Sequence, residues 1–303
     1  MECGSPLSDD SRSSASPQPS PPSPTLSSFC AFLRAAFDVA EEDTIARTPT
    51  QEVILKDRDR YLPFRQLGPS KRVILNDPNG PFSPARMKTQ EGFFDALIFR
   101  LITQASPILV QEKQVCFGSP PRFSNAIKGK EQRDYCNPSA TGQHSRFSNI
   151  PHIANYWKHA AGWSNLVDDA SFTFKSLLTW LTGHEGKEKR FFGMGSLAGW
   201  LLASDYAHAG LIETPQASEV GRIIFKINAG GKGGLALLGY DTDTNDACAE
   251  AMESLCTVVD RFFSPDDIKK MGLDPISLEH ALCKFKRLYQ MSIASVSWHF
   301  CSP

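Results

Sequence analysis

Apolar residues in this chain recur at three- and four-residue spacings over most of its length and alternate almost nowhere. Helices bury such a stripe, whereas a half-buried sheet needs a period of two. Phe93, Phe94, Leu97, Ile98, Leu101 and Ile102 lie on one continuous face, with Thr89 at the position of a helix cap. Phe29, Phe32, Leu33, Ala36 and Phe37 draw a second stripe, and Thr50 heads a third segment carrying Val53, Ile54 and Tyr61. Further helices are expected at about 151–162, 170–183, 196–209, 215–228, 244–263 and 277–290, with a short one after Ser264-Pro265. Thr214 followed by Pro215 reads as a cap and a first helical position. Strand-like alternation is confined to 72–75. The expected fold is mostly α, a multi-helix domain.

Residues 1–28 hold ten serines and six prolines and almost nothing apolar. Such a stretch cannot bury enough surface to offset its ordering entropy, so it reads as a disordered tail. The helical domain is expected over 29–296, with a loop-rich insertion at 110–150 and a short tail at 297–303. Hydrophobic residues at 41% suffice for a sizeable core. The eight cysteines stand apart, with no C-x-x-C pair, which fits reduced thiols in an intracellular protein better than disulfides or structural zinc. No apolar run approaches the roughly 18 residues of a membrane helix, and the N-terminus lacks an apolar signal core.

A formal net charge of -1 excludes a histone-like polycation. The sum hides an uneven distribution. Residues 113–190 carry eleven Lys/Arg against six Asp/Glu, and 205–281 carry six against thirteen. Local field steers a ligand more than the total does, so a modest, localised nucleic-acid footprint remains open.

Four segments carry candidate chemistry. Phe192-Gly193-Met194-Gly195 leads into an apolar helix, and its two glycines suit a tight hairpin that leaves backbone N–H groups open to an anion. Helix-hairpin-helix elements hold a DNA phosphate this way; a plain helix–helix turn is the alternative. Gly230, Gly231, Lys232, Gly233 and Gly234 suggest either a phosphate-holding glycine nest or a flexible helix terminus. Asp205, in the middle of an apolar helix, lies on a solvated face or points into a cleft. Glu279, Cys283 and Lys286 share one helix face, and Lys284, Lys286 and Arg287 make a cationic end suited to phosphate or to the helix dipole. His280 stands alone, which is more often structural than metal-ligating. The P-loop, H-E-x-x-H and G-x-S-x-G patterns are all missing.

In their order, these segments resemble the helical domain of the 5-hydroxymethyluracil DNA kinases, grouped with the α-glutamyl/putrescinyl thymine pyrophosphorylases. Four stretches carry the resemblance. They are 92–100 behind Arg58, Arg60, Arg65 and Asp77-Pro78; Phe192–Gly195 running through Trp200 to Asp205-Tyr206; the glycine segment running into 234–239; and Leu278–Lys286. It spans about 50–290, with 110–150 matching poorly.

The resemblance implies an all-α fold akin to helix-hairpin-helix DNA glycosylases, acting on a 5-hydroxymethylpyrimidine or its phosphorylated form in DNA. The implied chemistry is a transfer onto the modified base, with that base taken out of the stack. It places Asp205 as the acid or base, with Glu279 and His280 behind it. Gly193, Gly195, Gly230, Gly231, Lys232, Lys284, Lys286, Arg58 and Arg60 become contacts to DNA or phosphate. No metal is implied and the cofactor is left open. The implied partners are DNA and a separate kinase or hydroxylase, in the nucleus and not at a membrane. Two rivals stand beside it: a non-catalytic module that reads modified bases, and a helix-hairpin-helix glycosylase, whose catalytic Asp is expected near Glu213 and is missing there.

Overall fold

In a computed structural model that describes residues 26–42, 48–137, 146–228 and 230–299, the chain is almost wholly helical. The N-terminal part holds α1 (Leu26–Glu42), α2 (Pro49–Lys56), α3 (Arg58–Tyr61), α4 (Pro69–Asn76) and α5 (Gln90–Ile98). The middle holds α6 (Pro107–Val110), α7 (Pro120–Ile127), α8 (Gln132–Tyr135), α9 (Ile153–Ala160), α10 (Trp163–Val167) and α11 (Phe174–Thr182). A two-stranded antiparallel hairpin, β1 (His184–Glu185) and β2 (Glu188–Lys189), follows. The rest is α12 (Ser196–His208), α13 (Ala217–Ile227), α14 (Gly230–Leu237), α15 (Asn245–Phe262), α16 (Pro265–Met271) and α17 (Pro275–His299).

Short polar side chains set the helix starts. Thr89 accepts from Gly92 N at 3.0 Å to open α5, Thr173 caps α11, and Ser264 with Pro265 opens α16 as expected. Asn228 closes α13 with φ 49 and ψ 44, a left-handed conformation that asparagine tolerates. Two caps differ from expectation. α2 is capped by Thr48, not Thr50, because Pro49 takes the first helical position. Thr214-Pro215 lies outside α13, whose cap is Gln216. The alternating stretch 72–75 lies inside α4, where Ile74 is buried, so tertiary packing overrides its β-propensity. The 110–150 insertion holds α7, α8 and the start of a 3-10 turn (Arg146–His152), so it is less loop-like than its composition suggests. The closing tail expected at 297–303 begins as α17, which runs to His299. Of the expected N-terminal tail, 26–28 belong to α1, and the remainder lies outside the described residues.

One aromatic cluster anchors the core. Phe93 stacks on Trp163 with ring centroids 4.3 Å apart, and Trp180, Phe191 and Tyr206 close around it. Around this centre α5 packs on α9 and α11 on α12, while α13 lies along α15 and α14 along α17. α12 is buried on all sides from Ala198 to Ala207, the mark of a central helix. Among the described residues no helix is long and apolar enough to cross a membrane.

Candidate functional site

A helix buried all round cannot carry a charge without bringing its counter-charges inside. α12 carries Asp205, which is 0% exposed. Three cations converge on it from separate elements. Arg65, in a 3-10 turn (Arg65–Leu67), donates through Nη2 to Asp205 Oδ1 at 2.6 Å and to Leu201 O at 3.0 Å. Lys71 of α4 places Nζ 2.9 Å from the same oxygen. Arg100 donates to Oδ2 from a π-helical turn, Phe99–Thr103, that extends α5. Such a turn re-aims one side chain within an otherwise regular helix. Arg65, Lys71 and Arg100 are themselves buried.

Burial alone would raise the Asp205 carboxyl, but Arg100, Lys71 and Arg65 outweigh it and hold the group well below the usual carboxylate range. Asp205 is the counter-ion that organises three cations. Burial lowers the Lys71 ammonium to about 7, with Arg100 and Arg65 reinforcing the fall and Asp205 opposing it.

Arg65, Lys71 and Arg100 line a cavity of about 140 Å³, with Arg58, Lys284 and Arg287 as further cations. That is roughly ten times the space one buried water needs. Phe64, Phe99, Leu197 and Leu201 supply apolar wall, and Glu279, His280 and Cys283 the rest of the α17 side. Arg65 Nη1 and Arg100 Nε are buried with no hydrogen-bond partner among the described residues. An unpaired buried donor costs about 1–3 kcal/mol, a cost the fold carries at this cluster.

α17 positions several side chains expected at the site. Glu279 accepts from Trp200 Nε1 at 3.1 Å and from Cys283 Sγ at 3.2 Å. Burial raises its carboxyl, and those two bonds offset part of the rise. Lys284 donates to the carbonyls of Arg60 at 2.6 Å and Asp59 at 3.2 Å, tying α17 to the C-terminal carbonyls of α3. Burial lowers its ammonium to about 7, and Arg287 adds to the fall. His280 is kept neutral, first by burial and then by the nearby Lys284 and Arg65.

Arg58, Glu279, His280 and Lys284 are thus brought together on one cavity. The other expected residues lie elsewhere. Arg60 is exposed, with its guanidinium over the Tyr61 ring. Lys232 sits over the Phe225 ring at 4.7 Å. Gly230 and Gly231 open α14, a helix terminus, and a Cβ there would lie 2.6 Å from Cys283 Sγ and 2.8 Å from Glu279 Oε1. They are glycines so that two helices can touch. Lys286 lies across Gly233, where a Cβ would come within 2.9 Å of its Cε.

Gly193 has φ +78, and a Cβ on it would run into the Asn149 side chain; Gly195 caps α12 through its backbone. The turn is tight, with Gly195 N bonded to Gly193 O at 3.0 Å. However, the link from α11 to α12 also contains the β1–β2 hairpin, so it is longer than a bare helix-hairpin-helix connection. Phe192 beside it is 40% exposed and stacks on His152 at 3.8 Å.

Sequence reasoning missed Lys71 and Arg100 as site residues, used Arg65 only as part of an Arg-rich stretch, and placed Cys283 and Arg287 in a candidate segment without giving either a role of its own. A signal for the central group was present. Arg100 and Asp205 each interrupt a strongly apolar helix, and two such lone opposite charges have good reason to find each other. Among the described residues no group of three or more His, Cys, Asp or Glu side chains could hold a metal ion. No family model matches the chain, and neither does any curated protein or solved structure.

Proposed function

We propose that this chain binds DNA and acts on a 5-hydroxymethylpyrimidine, or its phosphorylated form, whose phosphate enters the cavity. One observation carries the reading. Three cations surround one carboxylate, an excess of positive charge when Lys71 is protonated, on side chains that line a cavity. A phosphomonoester carries about -1.5 to -2 charge near neutrality and offers three acceptor oxygens, so it complements that excess. The Phe64, Phe99, Leu197 and Leu201 wall suits the faces of a pyrimidine ring. The exposed Phe192 ring beside the Gly193–Gly195 turn is a surface on which a neighbouring base can stack, in the manner of a helix-hairpin-helix contact.

The phosphate would come from a separate kinase, since the chain lacks a P-loop, and the place of action would be the nucleus. A glycosylase reading is disfavoured, because the catalytic Asp it expects near Glu213 is missing.

The test is direct. Single-stranded and duplex oligonucleotides containing thymine, 5-hydroxymethyluracil or 5-(phosphonooxymethyl)uracil are titrated against the protein, and their nucleosides are weighed after incubation. Tightest binding of the phosphorylated base, competed by inorganic pyrophosphate, is expected. Equal binding of all three, without competition, would sink the reading.

A further inference from the structure

His280 of α17 is a half-buried histidine on the cavity wall. Among the described residues neither of its ring nitrogens has a hydrogen-bond partner, and neither is fully buried. The carboxylates and the amide on the same wall are engaged. Asp59 accepts from Ser70 N at 3.2 Å and from Ser70 Oγ at 2.8 Å. Glu279 accepts from Trp200 Nε1 and Cys283 Sγ, and Gln104 Oε1 accepts from Arg100 Nη1 at 2.8 Å. Polar groups inside a fold are normally paired. The imidazole keeps its hydrogen-bonding capacity unused, on the wall of a cavity.

The charges around this space do not balance. Arg58, Arg65, Arg100 and Arg287 line it together with Lys71 and Lys284, and guanidinium groups do not lose their proton in proteins. The carboxylates set against them are Asp59 and Glu279 on the wall, and Asp205, which Arg65, Lys71 and Arg100 share. Four guanidinium groups alone outnumber three carboxylates, so the space draws in negative charge whatever the state of the two lysines.

We propose that His280 contacts a tetrahedral dianion in this cavity and meets it as an imidazolium, so that anion and proton enter together. The proposal rests on the function proposed above, in which the cavity takes a phosphate, and makes that uptake a proton-linked step. Burial first, and then Lys284, Arg65, Arg100 and Arg287, hold the ring neutral. A dianion among those cations cancels their field at the ring and adds its own, which favours the charged form. The gain is a second N–H donor and a charge-assisted hydrogen bond. The proton comes from solvent and goes to the ring nitrogen that lacks one, and no other bond is made or broken.

Calorimetry of sulfate on the full-length protein near pH 6, in two buffers of different ionisation enthalpy, tests this. Sulfate is the probe because its charge is fixed, whereas a phosphomonoester exchanges a proton at about pH 6. Lys71 and Lys284, lowered to about 7, are already mostly charged there. The expected result is uptake of about one proton per sulfate in wild type and almost none in His280→Gln, which keeps a donor but cannot take the proton. Sulfate affinity in wild type should also rise, by up to about tenfold, for each unit that the pH falls below about 6, and stay flat in His280→Gln. Nitrogen NMR gives a readout that needs no variant: the His280 ring signals are expected to move from the neutral to the imidazolium positions as sulfate saturates the protein. Sulfate binding without proton uptake, uptake that persists in His280→Gln, or a ring that stays neutral overturns this proposal alone. So does sulfate that fails to bind where an oligonucleotide containing 5-(phosphonooxymethyl)uracil binds. If neither binds, the function proposed above falls with it.

Discussion

A carboxylate cut off from water stays charged only if opposite charges are buried with it, and Asp205 shows how far this shapes its neighbours. Removing its charge leaves Arg65, Lys71 and Arg100 facing one another in the interior. Asp205→Asn is therefore expected to cost about 3–5 kcal/mol, seen as a lower urea midpoint with an unchanged slope. A loss below about 1 kcal/mol would mean that water reaches the cluster.

Lys71 and Lys284 set the pH behaviour. Both have folded values lowered to about 7 by burial, against 10.5 for the free side chain. Between those limits the unfolded chain binds more protons, so these two groups make stability rise with pH upward from about 7. The raised thiols of Cys30 and Cys283 oppose this at higher pH, from about 8.5, the ordinary cysteine value. A rise between neutrality and that point, flattened in Lys71→Met, is the expected result of urea titrations across pH. For phosphate binding the two sides differ. The ligand loses charge below about pH 6, and Lys71 loses its proton above about 7. Affinity measured by calorimetry should peak between them.

At the scale of elements, the glycine-rich helix α14 separates two causes usually confounded. Glycine inside a helix normally costs up to about 1 kcal/mol relative to alanine, so replacing it should stabilise. At Gly234 a Cβ would lie 2.7 Å from Leu282 Cβ and 2.8 Å from its carbonyl, which cannot move away. At Gly233 the obstacle is the flexible end of Lys286. Gly234→Ala should lower the melting temperature by the equivalent of about 1–3 kcal/mol. Gly233→Ala should leave it unchanged or raise it. Equal effects at the two positions would refute close α14–α17 packing as the reason for the glycines. The π-helical turn after α5 is the other informative element, because it puts Arg100 on the side of Asp205 while Leu101 and Ile102 stay in the core.

Across the whole molecule, the cavity draws on both ends of the chain: α3, α4 and the turn after α5 on one side, α12 and α17 on the other. The aromatic cluster holds these halves in register, since Phe93 of α5 meets Tyr206 of α12 as well as Trp163 and Trp180. Phe93→Ala should cost about 3–5 kcal/mol and, because the ring stacks on Trp163, shift the tryptophan emission. It should also weaken pyrophosphate binding although Phe93 does not line the cavity. Binding unchanged in the folded variant would mean that the cavity does not depend on this register.

Most of the helices, and the Thr89 and Ser264 capping residues, were legible in the sequence, because apolar period and capping chemistry are properties of neighbouring residues. Arg58, Glu279, His280 and Lys284, named from short segments and the resemblance they carry, lie together on one cavity. The central cluster was not legible. Asp205 is 105 residues from Arg100 and 140 from Arg65, and a pairing over such separations leaves no local period. The glycine run pointed to a phosphate nest because composition records missing side chains without recording what fills the space. By itself the sequence determined a helical chain with misplaced charges in two of its most apolar helices. Tertiary structure alone decided that those charges meet, that three cations share one carboxylate, and that the excess faces a cavity. The reason is that burial, which makes an isolated charge so costly, is a property of the packed molecule and not of any segment.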